Sequence, residues 1–324
     1  MKILLTTTSY QDTPGRHHEV LAASGFEVVR ARGPLPEADM LNLVEQHGGF
    51  DGFLNGDDAI TARVIDAAMK AKTPLKVIAK YGIGLDSIDV KHATGKKIPV
   101  LFTPGVNHTT VAEHAFGLMV AMAKHFWPHL RSVKGGGWKR ITGTELAGKR
   151  IAVLGVGRIG KEVIKRAVAF DMKPVGYDLY WDEGFAKLCN VSRCMTAEEA
   201  LHDADIVTLH MNLDDSSRGF INKQRIALLK NSAMIINTAR GGLVVEQDIA
   251  DACKSGKLAG YATDVLEHEP PKPGHPFNDI DNIIVTPHIA SRTFESVERQ
   301  AMRATFNIVN YLKGEKDFIQ ANQF

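Results

Sequence analysis

Residues 149–178 read KRIAVLGVGRIGKEVIKRAVAFDMKPVGYD. Four apolar residues at 151–154 suit a buried strand. Gly155, Gly157 and Gly160 follow with the spacing G-x-G-x-x-G, and Ile159, Val163, Ile164, Ala167 and Val168 then recur at helical spacing. A second apolar run ends at Asp178. Each residue type suits one purpose. Gly155 allows a tight strand-to-helix turn, Gly157 leaves room for a pyrophosphate against the backbone, and Gly160 lets helix and strand pack closely. The helix N-terminus, with Arg158 as its first residue, offers N–H groups and a partial positive charge to phosphates. Asp178 is placed to accept hydrogen bonds from an adenosine ribose and to repel a 2′-phosphate, which favours NAD over NADP. The spacing alone is weak evidence; with strand, helix, second strand and acid in place it predicts a dinucleotide site.

The rest of the chain alternates in the same way. Apolar runs at 3–6, 26–29, 50–54 and 75–79 are separated by helical patterns at 17–23, 38–45 and 62–69. Strand-like runs recur at 206–209, 233–236, 259–262 and 283–285, with helical patterns at 198–204, 224–229 and 247–255. Such alternation predicts parallel sheets covered on both faces. A chain of 324 residues is long enough for two such domains. The helix expected over 110–125 is apolar nearly all round and must be buried on more than one side, either inside the monomer or partly under a second subunit. A last helix over 293–312 is expected to cross back over the first lobe.

The composition excludes several classes of partner. A net charge of +2 gives no reason to expect nucleic acid or an anionic membrane surface. No apolar run approaches the roughly 20 residues needed to span a bilayer, and the N-terminus reads as a first strand, which points to a cytoplasmic protein. Cys189, Cys194 and Cys253 lack zinc spacing and are expected as reduced thiols, with no metal.

Two further groups carry chemistry. In KYGIGLDSID at 80–89, Gly82 and Gly84 bracket Ile83 just past a strand, where consecutive N–H groups can form an anion nest, with Lys80 and Tyr81 as side-chain contacts. A plain turn is the equal alternative on these residues alone. Arg240, Glu269 and His288 each follow a predicted strand of the second half, and the carboxyl ends of such strands converge on one crevice. An imidazolium can protonate the alkoxide left when hydride reaches a ketone. A carboxylate partner orients that ring, and an arginine fork can hold a substrate carboxylate.

The segments KYGIGLDSID, TPGVNHTTVAEHAFGL, GTELAGKRIAVLGVGRIG, NTARGGLV, DVLEHEP and TPHIAS occur in one order along nearly the whole chain. In this order they resemble the D-isomer-specific 2-hydroxyacid dehydrogenase family. The resemblance implies two doubly wound parallel-sheet α/β domains: a Rossmann-type cofactor domain, residues 106–289, inserted in a flavodoxin-like substrate domain, residues 1–105 plus 290–324. It implies an NAD-dependent oxidoreductase of D-2-hydroxy acids and their 2-keto acids, homodimeric through the apolar helix after Asn107. Arg240 would bind the substrate carboxylate, Glu269 would pair with His288, and His288 would be the acid/base. Ile83 and Gly84 would offer N–H groups to the same carboxylate. Arg158, Ile159, Asp178, His210, Thr238, Ala239 and Asp264 match cofactor-contacting positions.

Within the family the chain looks most like the 3-phosphoglycerate dehydrogenases, partly through Lys80. It departs from them at Phe53-Leu54-Asn55-Gly56-Asp57-Asp58, which lacks an arginine those enzymes carry and has two acids instead. It also has Asn212 where the family often has proline. Glyoxylate or hydroxypyruvate reduction is the nearest alternative activity. An NAD-sensing co-repressor scaffold is the alternative of another class.

Overall fold

The computed structural model describes residues 1–324. The chain divides into two compact units, one of residues 1–107 and 292–324 and the other of residues 108–291.

Unit 1 holds five parallel strands: β1 (Lys2–Leu5), β2 (Glu27–Arg30), β3 (Gly52–Asn55), β4 (Val77–Lys80) and β5 (Val100–Leu101). Their order is β2-β1-β3-β4-β5, the flavodoxin-like arrangement. Strands buried on both faces must be apolar throughout rather than alternating, and β3 and β4 are wholly buried. On one face Leu4, Phe53 and Ile78 pack with Met40, Val44, Val64 and Ile65 of two helices, Glu37–His47 and Ala62–Lys70. On the other, Ile3, Leu5, Val77 and Ala79 meet Ala301, Ala304 and Ile308 of the last helix, Phe294–Lys313. Thr293 caps that helix, its hydroxyl accepting from the Ser296 N–H at 3.3 Å. After it the chain returns to the sheet edge. There Asn322 accepts from the Val100 N–H (2.8 Å) and donates to the Ile98 carbonyl (2.9 Å).

Unit 2 holds seven parallel strands: β6 (Arg150–Leu154), β7 (Lys173–Tyr177), β8 (Ser192–Arg193), β9 (Ile206–Leu209), β10 (Ala233–Asn237), β11 (Leu258–Thr263) and β12 (Ile283–Val285). The order β12-β11-β10-β9-β6-β7-β8 reverses direction between β6 and β9. That is the topological switch point of a Rossmann sheet, and ligands bind outside the carboxyl ends of its strands. The exposed two-residue edge strand β8 carries no apolar signal and is not visible in the sequence.

The apolar helix expected over 110–125 spans His108–Ala123. It is buried inside unit 2, where Ala112, Ala115, Phe116 and Met119 pack with Val163 and Ile164 of the helix Arg158–Ala169 and with Ile236 and Ala262 of the sheet. Its all-round hydrophobicity is therefore largely accounted for within the monomer. The outward apolar face lies one element later, on an unforeseen helix, Phe126–Lys134, that exposes Phe126, Trp127, Leu130 and Val133. No helix is long and apolar enough to cross a membrane. Cys189, Cys194 and Cys253 are unpaired thiols.

Candidate functional site

The glycine turn of unit 2 sits at the switch point. Gly155 has φ +93°, and a Cβ there would lie 2.6 Å from the carbonyl carbon and oxygen of His210 on the neighbouring strand end. Only glycine meets both demands. A side chain at Gly160 would strike the Gly155 carbonyl, so the helix Arg158–Ala169 can approach the strand only without one. Gly157, immediately before that helix, is different: a Cβ there would meet nothing within 4 Å. The first turn of the helix thus opens onto clear space, as a pyrophosphate approaching its N–H groups requires. Asp178, at the end of β7, accepts from the N–H groups of Val156 (2.6 Å) and Tyr180 (2.7 Å). The carboxylate is thereby fixed beside the turn. Arg158 is exposed and Ile159 half-buried at the helix start. These residues fit a dinucleotide.

His210 follows β9. One ring nitrogen is 2.8 Å from the Thr208 hydroxyl; the other, Nδ1, is buried without a partner. Burial pushes its pKa down to about 3. The folded protein therefore holds this imidazole neutral, whereas the unfolded chain takes up a proton near pH ~6.5. The unfolded state binds the extra proton between those values, so stability falls as pH drops through that window. Urea unfolding between about pH 4.5 and 7 should show a His210→Gln variant losing up to one proton's worth of slope, about 1.4 kcal/mol per pH unit. Parallel slopes for the two proteins would dismiss the effect.

The turn after β10 is shaped by Asn237, which sequence reasoning passed over. It is fully buried, donates to the Arg240 carbonyl (2.9 Å) and accepts from the Ala239 N–H (3.0 Å). This holds Thr238, Ala239 and Arg240 in a tight bend, with Arg240 donating to the Ala239 carbonyl at 2.7 Å. Gly241 packs so closely on the Leu266–Glu267 backbone that any Cβ would overlap it. The arginine turn and the loop after β11 are therefore in direct contact.

That loop carries Glu269. Its Oε1 accepts from the Leu266 N–H (2.8 Å), and its Oε2 lies 2.7 Å from Nδ1 of His288. Nδ1 is therefore the donor in this pair, and Nε2 is the nitrogen that can exchange a proton with a substrate. His288 adopts φ +53°, a left-handed backbone that histidine enters at a cost. Asp264 holds it there. This carboxylate, 1% exposed, accepts from the Ile289 (2.9 Å) and Ala290 (2.7 Å) N–H groups and the Thr286 hydroxyl, and its main-chain carbonyl accepts from the His288 N–H. His114 adds a bond from Nε2 to the Thr286 hydroxyl at 3.0 Å. Asp264, expected from sequence as a cofactor contact, is seen here to anchor the histidine loop. Nothing in the sequence signalled it, because its partners lie in a segment more than 20 residues away.

In unit 1 the segment after β4 forms the expected turn. Gly82 is clamped by Thr103, whose hydroxyl accepts from its N–H at 3.0 Å. Ile83 and Gly84 follow, half-buried, their N–H groups making no hydrogen bond to the protein. Tyr81 is 8% exposed, and burial pushes its phenol up to about 12. Lys80 is not an open cation: its ammonium donates to the Gly56 carbonyl (2.6 Å) and to Asp57.

Residues 116–290 match the family model described as "D-isomer specific 2-hydroxyacid dehydrogenase, NAD binding domain". Over 97% of its length the chain is 37% identical to the D-3-phosphoglycerate dehydrogenase of Methanocaldococcus jannaschii, but it spans only 58% of that protein. It is 40% identical to the hydroxypyruvate reductase of Thermotoga maritima, over 74% of this chain and 77% of that one. The crystal structure of the TT0316 protein from Thermus thermophilus superposes with a TM-score of 0.88 at 33% identity, covering 99% of this chain and all of the other. With a family model matching more than half its residues and relatives of this similarity, the chain belongs to the D-isomer specific 2-hydroxyacid dehydrogenase family.

Proposed function

We propose that the protein is an NAD-dependent dehydrogenase interconverting a D-2-hydroxy acid and its 2-keto acid. The observation that carries this reading is the Glu269–His288 pair, held at 2.7 Å on a strained backbone, with the Glu269 loop in direct contact with the Arg240 turn. In this reading unit 2 holds the dinucleotide through Gly155, Gly157, Gly160 and the helix start at Arg158 and Ile159. Asp178 takes the ribose, and His210, Thr238, Ala239 and Asp264 complete the cofactor contacts. NAD supplies and accepts the hydride. The chain's own residues do the rest. His288 delivers a proton from Nε2 to the carbonyl oxygen of the keto acid, or removes it in the reverse direction. Glu269 fixes the ring through Nδ1. Arg240 grips the substrate carboxylate with its planar fork. In unit 1 the Ile83 and Gly84 N–H groups are the substrate-binding anion nest, with Lys80 and Tyr81 beside them.

Steady-state oxidation of NADH over a panel of 2-keto acids tests the reading. Turnover of at least one short 2-keto acid is expected; none at all would abandon it in favour of an NAD-sensing scaffold. The cofactor choice has its own measurement. Asp178→Ala removes the ribose acceptor and the charge facing a 2′-phosphate, so the kcat/KM preference for NADH over NADPH should shrink by about tenfold or more. A wild type that prefers NADPH would refute the assignment.

We also propose that the protein is a homodimer. The outward face of Phe126, Trp127, Leu130 and Val133 supports this, since a cluster of exposed large apolar side chains marks an interaction surface. Light scattering should give twice the chain mass, falling toward one chain mass in Trp127→Asp. A monomeric wild type would remove the proposal. Three unpaired thiols suit the reducing cytoplasm, where we place the protein.

A further inference from the structure

The mouth of the unit 1 sheet, at the carboxyl ends of β3 and β4, contains a charge pair, Lys80 with Asp57, to which the dehydrogenase reading assigns no selectivity. Asn55 of β3 lies in register with Lys80 of β4. The loop after β3 therefore folds directly over the lysine. Lys80 has a side chain only 3% exposed, and its ammonium is held by the Gly56 carbonyl and the Asp57 carboxylate. A buried ammonium requires such a counter-charge, because removing a lone ion from water is costly. Asp57 itself is 61% exposed. The pair thus presents its acidic member outward and its basic member inward.

Asp58 adds to this. It is fully buried and acts purely as an acceptor: Oδ2 takes the Gly56 N–H (2.9 Å) and the Thr6 hydroxyl, and Oδ1 takes the Leu35 N–H (2.9 Å). Asp58 is thus occupied by its own donors, and Asp57 is the carboxylate that holds the ammonium. The lysine stem also lies beneath the glycine turn, since a Cβ on Gly82 would stand 3.3 Å from Lys80 Cε. The charge pair therefore lies next to the Gly82–Gly84 turn.

We infer that Asp57, held by Lys80 beside the Gly82–Gly84 turn, makes this enzyme select 2-keto acids with an uncharged, hydroxyl-bearing tail and reject phosphorylated ones. This rests on the dehydrogenase reading and deepens it. A carboxylate accepts a hydrogen bond from a hydroxyl and repels a phosphate at the same distance. The lysine that would attract a phosphate is already neutralised. Removing the charge of Asp57 while keeping its shape leaves a buried cation in want of an anion, and a substrate phosphate can take the vacated role.

The experiment measures kcat/KM with NADH for pyruvate, hydroxypyruvate and 3-phosphohydroxypyruvate, in the wild type, Asp57→Ala, Asp57→Asn and the double variant Lys80→Gln/Asp57→Asn. Thermal melting checks that each is folded. Calorimetric binding of D-3-phosphoglycerate gives a readout that needs no turnover. The wild type should prefer hydroxypyruvate to both other acids. Asp57→Ala should lower the hydroxypyruvate-to-pyruvate ratio by roughly tenfold, the scale of one hydrogen bond to a charged group. Asp57→Asn should raise the ratio of phosphorylated to unphosphorylated substrate by roughly tenfold or more and tighten D-3-phosphoglycerate binding. The double variant should lose that gain, which ties it to the lysine charge. A wild type that favours the phosphorylated acid, or ratios unmoved by Asp57 replacement, overturns this inference and leaves the dehydrogenase reading standing. Absence of turnover with every 2-keto acid overturns both.

Discussion

His288→Ala should lower kcat by about 10²- to 10⁴-fold, the usual worth of a positioned general acid, while KM for the keto acid changes by only a few fold. The reason is geometric. Glu269 anchors Nδ1, so the proton available to a substrate is on Nε2. A group used mainly in the transition state shows its loss in turnover rather than in ground-state affinity. Arg240→Ala should behave differently, raising KM and lowering kcat/KM together, because a fork that holds a carboxylate works both before and during the reaction. Arg240→Lys should recover little, since an ammonium cannot reproduce two parallel N–H contacts. Steady-state kinetics at one pH and saturating NADH separates these patterns. A His288→Ala enzyme with unchanged turnover would remove the acid/base assignment.

Gly155→Ala should be strongly destabilising. The new Cβ would lie 2.6 Å from the His210 carbonyl, on a backbone with φ +93°. Left-handed strain costs about 1–3 kcal/mol, and overpacking a tight contact costs about as much again. Together they should lower the melting temperature by roughly 5–20 °C for a unit of this size. The displaced carbonyl also carries His210, so dinucleotide affinity should fall with stability. Gly157→Ala makes the contrast, because its Cβ meets no protein atom within 4 Å. It should melt near the wild type yet bind NADH more weakly. Calorimetric titration with NADH beside thermal melting distinguishes the two. Equal melting temperatures for all three proteins would show that the turn tolerates what its geometry forbids.

Much of the fold was written in local patterns. Strands buried on both faces leave unbroken apolar runs, and those at 3–6, 50–54, 206–209 and 233–236 mark real strands to within about two residues. The closeness of Glu269 and His288 was also legible, since both follow neighbouring parallel strands whose ends must converge. What escaped notice depends on partners distant in sequence. The helix Phe126–Lys134 has apolar residues that face outward, so periodicity gave no reason to bury it. Asn237 looks like an ordinary strand-end polar residue until its bonds to Ala239, Arg240 and Tyr261 are seen. Lys80 read as a side-chain contact of the anion nest, and its counter-charge, Asp57, becomes a neighbour only through the β3–β4 register.

The discontinuity of unit 1 also sets a timetable for the nascent chain. One side of its sheet, with Ile3, Leu5, Val77 and Ala79, is covered by a helix made only after residues 108–291 have been synthesised. At roughly 5–20 residues per second, that exposed apolar surface waits on the order of 10–40 s on the ribosome. Meanwhile the inserted unit, whose strands and covering helices are contiguous in the chain, can complete itself. The protein should therefore lean on chaperones early in translation, and slowing synthesis across the insert should increase aggregation of the first hundred or so residues.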